Sequence, residues 1–197
     1  MGALLAILSP LSFLNEQLLR VGRGIGVVAI ALMVLAILIQ VVFRYGFNNA
    51  LPWPDEAARF CMLWMTGLMA PTAFRRGGFV AIDMFGRALP TRVGQVLTIF
   101  LLLVSLVVLV VAVQIGWGEV TGFGGKFKTA ALYLPTGLDF TEWFRIPRSW
   151  MMASLLVGVV LLTLVNVELI LRAILTLFGA GDRMTPIPEA VVVGGAE

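Results

Sequence analysis

Histidine is absent from this 197-residue chain, and cysteine occurs once, at Cys61. A structural zinc site, an iron–sulfur cluster and a disulfide framework each need more of these residues than that. A Ser-His-Asp triad is excluded for want of its base. Charge is scarce too: 13% of residues are charged and 60% are apolar, with a mean hydropathy of +1.01. Soluble domains run at about 25% charged and about 45–50% apolar. Soluble globular and disordered chains are both disfavoured, which leaves a multi-span membrane protein. The net charge of +3 and pI near 9.6 rest on 14 basic residues scattered between apolar runs. With no basic block, they read as topology information and not as a nucleic-acid footprint.

Four long apolar runs are present, at about 25–43, 57–74, 93–115 and 150–171. Each is close to the roughly 20 residues that carry a helix across about 30 Å of hydrocarbon. Backbone groups in lipid must bond internally, so the runs are expected to be α-helices. The third is rich in valine, but it is too long for a strand, which usually has about 3–10 residues. The second is the least apolar. Thr66, Gly67 and Ala70 make a small-residue patch in it where another helix can come close, and Met62, Met65 and Met69 share one face. That patch suits packing within the chain or a face for a second protein.

Residues 1–24 read as a separate element. Ser9 and Pro10 fit an N-cap and first helical position, and Leu11, Leu14, Leu18 and Val21 recur at helical spacing. This pattern predicts a short amphipathic helix in the membrane interface, with Gly22, Gly24 and Gly26 bending the chain into the first span. No Lys or Arg precedes the apolar run at the very start, which argues against a cleaved signal peptide. Residues 172–197 hold Gly179, Gly181, Pro186 and Pro188 and are expected to be a flexible tail. The fold expected is thus an all-α membrane protein: four transmembrane helices over 25–171, preceded by the interfacial helix.

Four spans place both termini on one side, where eight of the basic residues fall, against six on the other. The short middle loop alone holds Arg75, Arg76, Arg87 and Arg92. Short loops weigh most in the positive-inside rule, so both termini and this loop are expected in the cytoplasm. The first outer loop carries Tyr45 and Trp53, suited to the aromatic belt, and Asp55 and Glu56, suited to the positive end of the second helix. An Arg44–Glu56 ion pair is reachable across the hairpin, with Arg59 competing for the carboxylate; capping plus snorkelling explains the same residues. The second outer loop, 116–148, is too long for a bare hairpin. Its Trp117, Tyr133, Phe140, Trp143, Phe144 and Trp150 suggest a segment resting on the membrane or on a partner.

Ion pathways and proton relays need ionisable groups inside the bundle. In the sequence the middle of every span lacks them, Arg59 and Glu168 being near span ends. Paired half-spans broken by Gly or Pro, the pointer to a transporter's binding site, are missing as well. The residues thus describe a protein that packs and organises without itself moving a solute. The alternatives are a self-associating small channel or carrier, and a membrane anchor or assembly subunit of another complex.

The stretch RYGFNNALPWPDEAARFCMLWMTGLMAPTAFRRGGFVAIDMFGRALP, 44–90, adds a resemblance. Arg44-Tyr45, Phe47-Asn48, Trp53 with Asp55-Glu56, Arg59, Arg75-Arg76-Gly77-Gly78 and Asp83 follow in an order similar to the small membrane subunit, DctQ, of tripartite ATP-independent periplasmic (TRAP) transporters. Phe79 stands where members of that family often carry histidine. The resemblance implies a non-enzymatic inner-membrane subunit without cofactor or metal. It would form a stable heterodimer with a large membrane subunit that carries an organic acid inward with sodium. It would also meet a periplasmic substrate-binding protein transiently and sit among membrane lipid, with no nucleic-acid partner. Arg44, Trp53, Asp55, Glu56, Arg59, Arg75, Arg76 and Asp83 would then structure the hairpin or the partner interface.

Overall fold

The long apolar runs close their own backbone hydrogen bonds as helices, and the computed structural model contains four of them among the described residues. It describes residues 2–77, 91–135, 143–179 and 187. Helix α1 spans Gly2–Gly46, α2 Trp53–Arg75, α3 Thr91–Thr121 and α4 Ser149–Leu177. A short 3-10 turn, Phe123–Lys126, and two strands, β1 (Lys128–Pro135) and β2 (Trp143–Pro147), lie between α3 and α4. Leu8–Gly46, Arg92–Thr121 and Ser149–Leu177 are long and apolar enough to cross a membrane. Helix α2, at 23 residues, has the length but is less apolar than the other three. Asp83 and Phe79 lie outside the described residues, as do 180–186 and 188–197 of the expected tail; its first part, 172–177, is not tail but the last turns of α4.

One expectation about α1 needs correction. The helix runs unbroken through Gly22, Gly24 and Gly26, where a bend into a separate interfacial element was predicted. The stripe at Leu14, Leu18 and Val21 is exposed, while Leu8, Asn15, Leu19, Gly22, Gly26, Ala29 and Ala36 are buried. From Asn15 the inward positions alternate steps of four and three, through Met33 to Gln40, a period of 3.5 that keeps one narrow seam on the neighbouring helix. Gly22 and Gly26 serve that seam and not a bend. A Cβ at Gly22 would lie 3.4 Å from the Leu68 carbonyl oxygen, and one at Gly26 3.0 Å from the Met69 side chain.

Helix α2 lies between α1 and α4. Of its small-residue patch, Gly67 packs within the chain, against α4, while Thr66 is exposed. A side chain at Gly67 would run into the Ser154 carbonyl, and one at Gly158 would fall 2.7 Å from the Gly67 oxygen and 2.8 Å from its Cα. Pro71, buried in the same helix, has no N–H to give the carbonyl four residues back, which is that of Gly67. The freed oxygen faces the next helix at its closest approach, where only glycine leaves it room. Helix α3 packs on α4. Asn166 donates from Nδ2 to the Leu102 carbonyl at 3.0 Å. Leu19, Phe74, Leu102, Val165 and Ile170 form the apolar core that joins all four helices. The outward residues of α3, including Val96, Phe100, Val104, Val107 and Val111, are exposed, as lipid-facing side chains would be.

The long 116–148 loop contains an antiparallel β-hairpin, an element absent from the all-α expectation. Tyr133 pairs with Arg145 and Leu134 with Phe144, with a bulge towards Lys128. The Arg145 guanidinium ties it together, donating from Nη2 to the Ala130 carbonyl at 2.8 Å and from Nε to that of Thr129, and lying 5.6 Å over the Tyr133 ring.

Candidate functional site

The sequence offers one carboxylate within the run of α4, at Glu168, and one arginine closing α2, at Arg75. The fold brings them together. Arg75 donates from Nη2 to Glu168 Oε1 at 2.8 Å and from Nε to Oε2 at 3.0 Å, a two-pronged fit of guanidinium to carboxylate. Arg172, one turn on in α4, donates to Oε1 at 3.0 Å, and Asn15 of α1 donates to Oε2 at 2.8 Å. All four lone-pair directions of the carboxylate are thereby used. Glu168 is 0% exposed and Arg75 9%. Arg75 Nη2 also reaches the Ser12 carbonyl at 3.2 Å, so α1, α2 and α4 are joined at one point.

This cluster corrects the expectation that the bundle interior holds no charge. Glu168 is near a span end along the chain, yet it faces inward and is sealed there. A buried charge is tolerated only when paired and hydrogen-bonded, which this one is on both oxygens. The site can bind charges to one another and fix helix register; with its acceptors filled from within, it offers no open coordination to a passing ion. Of its four members only Arg75 stands among the sequence-expected site residues. Two signals for the others are present: the i, i+4 spacing of Glu168 and Arg172, and the seven-residue repeat Asn15, Gly22, Ala29, Ala36.

The remaining expected residues divide between the two ends of the bundle. At the hairpin end, Glu56 in the first turn of α2 accepts from the backbone amides of Ala130, at 2.8 Å, and Ala131. The Arg44–Glu56 ion pair is not formed; Arg44 instead lies 5.8 Å over the Tyr45 ring. Asp55 accepts from Gln40 Nε2 at 3.4 Å, joining α1 to α2. Trp53 lines an open aromatic groove of about 620 Å³ with Ala131, Leu132, Tyr133 and Trp143. Arg59 is exposed on α2, and Arg76 is half-buried beside a small cavity at the opposite end. Among the described residues no group of acidic, histidine or cysteine side chains could hold a metal ion.

Comparison with known proteins gives the family. Residues 33–176 match the family model described as tripartite ATP-independent periplasmic transporters, DctQ component. A protein of Haemophilus influenzae whose assigned name is that of a TRAP transporter small permease is 26% identical over 149 residues, covering 76% of this chain and 83% of its own length. The match begins inside α1 and runs into the last turn of α4, so it takes in about the last third of the first helix, the hairpin and three of the four cluster residues. The chain, a multi-pass protein of the bacterial inner membrane, belongs to the DctQ family of TRAP transporter small subunits.

Proposed function

We propose that the chain is the non-translocating subunit of its transporter. All four helices cross the membrane with both termini in the cytoplasm, and the chain packs against the large subunit that carries an organic acid inward with sodium. Its work is mechanical: a moving carrier needs a fixed frame, and four added helices widen that frame and resist tilt in the bilayer. The chain performs no catalysis. A periplasmic binding protein delivers substrate to the assembled pair. The observation that carries this reading is the closure of Glu168 by Arg75, Arg172 and Asn15. The buried ionisable groups answer one another, which suits a scaffold and leaves translocation to the partner.

Reconstituted vesicles test it. With binding protein outside and a sodium gradient, uptake of the organic acid is expected when both membrane subunits are present. It should be absent with either alone. Full uptake by the large subunit alone removes the scaffold role, and a solute moved by this chain alone replaces it with a carrier.

A further inference from the structure

Beside the ionic cluster lies a second polar feature that the cluster leaves unfilled. Glu16, Arg23, Thr72, Arg75 and Arg76 line a cavity of about 40 Å³ between α1 and α2, with Ile187 against it. A water needs about 10–15 Å³ on this measure, so the space accepts a group of several heavy atoms. The Thr72 hydroxyl on its wall is buried and has no hydrogen-bond partner. Arg75 is committed to Glu168, and Glu16 is engaged by Arg20 at 3.2 Å. Arg23 and Arg76 form no ion pair among the described residues.

A tetrahedral oxyanion fits this set: it accepts from an unfilled hydroxyl and from the guanidiniums of Arg23 and Arg76, and it answers their charge. Basic pockets between transmembrane helices at the membrane surface take anionic headgroups in this way. The surroundings favour a lipid over a free ion. Val27 and Val34, four and eleven residues past Arg23 and so on its face of α1, are exposed and apolar, a track for an acyl chain leading away from the cavity. We propose that Arg23, Arg76 and the Thr72 hydroxyl hold the phosphate of an anionic membrane phospholipid, with its chains along α1. The inference rests on the proposed orientation only for which leaflet supplies the lipid, and its test needs no transport, so the two can fail separately.

Native mass spectrometry of the purified full chain provides that test, with phosphatidylglycerol, phosphatidylcholine and inorganic phosphate as probes. Phosphatidylglycerol should be retained about tenfold better than phosphatidylcholine. Arg23→Gln and Arg76→Gln should each lower its retention about fivefold, the usual worth of one basic side chain at an anionic surface. Thr72→Val, nearly isosteric, should weaken retention while leaving the melting temperature in place. Arg20→Gln, one turn away and exposed, should change nothing. An equal loss from Arg20→Gln would reveal diffuse surface charge and overturn the site. Displacement of the lipid by equimolar inorganic phosphate would make it a free-anion pocket and overturn the lipid reading, as would equal retention of the two phospholipids.

Discussion

Glu168 is the residue on which three helices agree. Its carboxylate holds Arg75 from α2, Asn15 from α1 and Arg172 from its own helix. Removing one partner of a buried ion pair leaves the rest unanswered, at a cost of about 3–5 kcal/mol. Glu168→Gln is therefore expected to lower the thermal melting point of the purified chain sharply, and Asn15→Leu much less. The double variant Arg75→Met with Glu168→Gln should lose less than the sum of its parts, because the orphaned guanidinium is gone. Additive losses in that cycle would show that the pair is not coupled. At the other end Glu56 does a similar service with weaker means, receiving two backbone amides of β1. Glu56→Gln turns an acceptor into a donor against one of those amides. Hydrogen exchange at Ala130 and Ala131 should then quicken about tenfold or more, the equivalent of about 1.5–3 kcal/mol for bonds to a charged group, with α3 and α4 unchanged.

Helices were legible in the sequence because length and hydropathy decide them; which face turns inward was not. The apolar stripe of Leu14, Leu18 and Val21 is the more hydrophobic side of α1, and in water it would be buried. In lipid the preference weakens, since the solvent is as apolar as the side chain, and small residues that permit close backbone approach take the inner face. That is why Gly22, Gly26, Ala29 and Ala36 are inside and the larger residues outside. The same rule places Gly67 against Gly158. Glu168 was legible as a residue but not as a site, because its distance along the run does not disclose its azimuth. The β-hairpin escaped because its strands are short and its alternation is interrupted by a bulge. A glycine series tests the packing rule. Gly158→Ala and Gly67→Ala each push a methyl into backbone and should cost about 1–3 kcal/mol. Gly24→Ala, which meets nothing within 4 Å, should be neutral or gain up to about 1 kcal/mol from helix propensity. Equal melting points for all three would mean that the α2–α4 approach is looser than drawn.

At the scale of the whole molecule, charges bracket the bundle. Arg23 and Arg44 are 21 residues apart on α1, about 31 Å at about 1.5 Å per residue, a match to the roughly 30 Å of hydrocarbon. Asp55 and Arg75 bracket α2 by 20 residues, and Arg148 and Arg172 bracket α4 by 24. In the proposed four-span frame these lengths suit the less apolar α2 as well: Gly67 is covered by α4, and the exposed Thr66 hydroxyl donates to the Met62 carbonyl of its own helix. The 45 residues of α1 come to about 67 Å, about twice the thickness of the hydrocarbon, and Ser12, Asn15 and Leu19, before Arg23, still pack against α2 and α4. A topology experiment follows from this geometry. In a Cys61→Ser background, Glu119→Cys near the hairpin and Thr176→Cys at the far end of α4 place single thiols on exposed positions at opposite ends. With cytoplasmic termini, an impermeant maleimide should label the first in intact spheroplasts and the second only after permeabilisation. Leu14→Cys, exposed on α1 at the level where Ser12 and Asn15 meet Arg75 and Glu168, should behave like Thr176→Cys. Labelling of both Glu119→Cys and Thr176→Cys from the same side would mean that α4 does not cross, and the four-span frame would have to be redrawn around the three remaining helices.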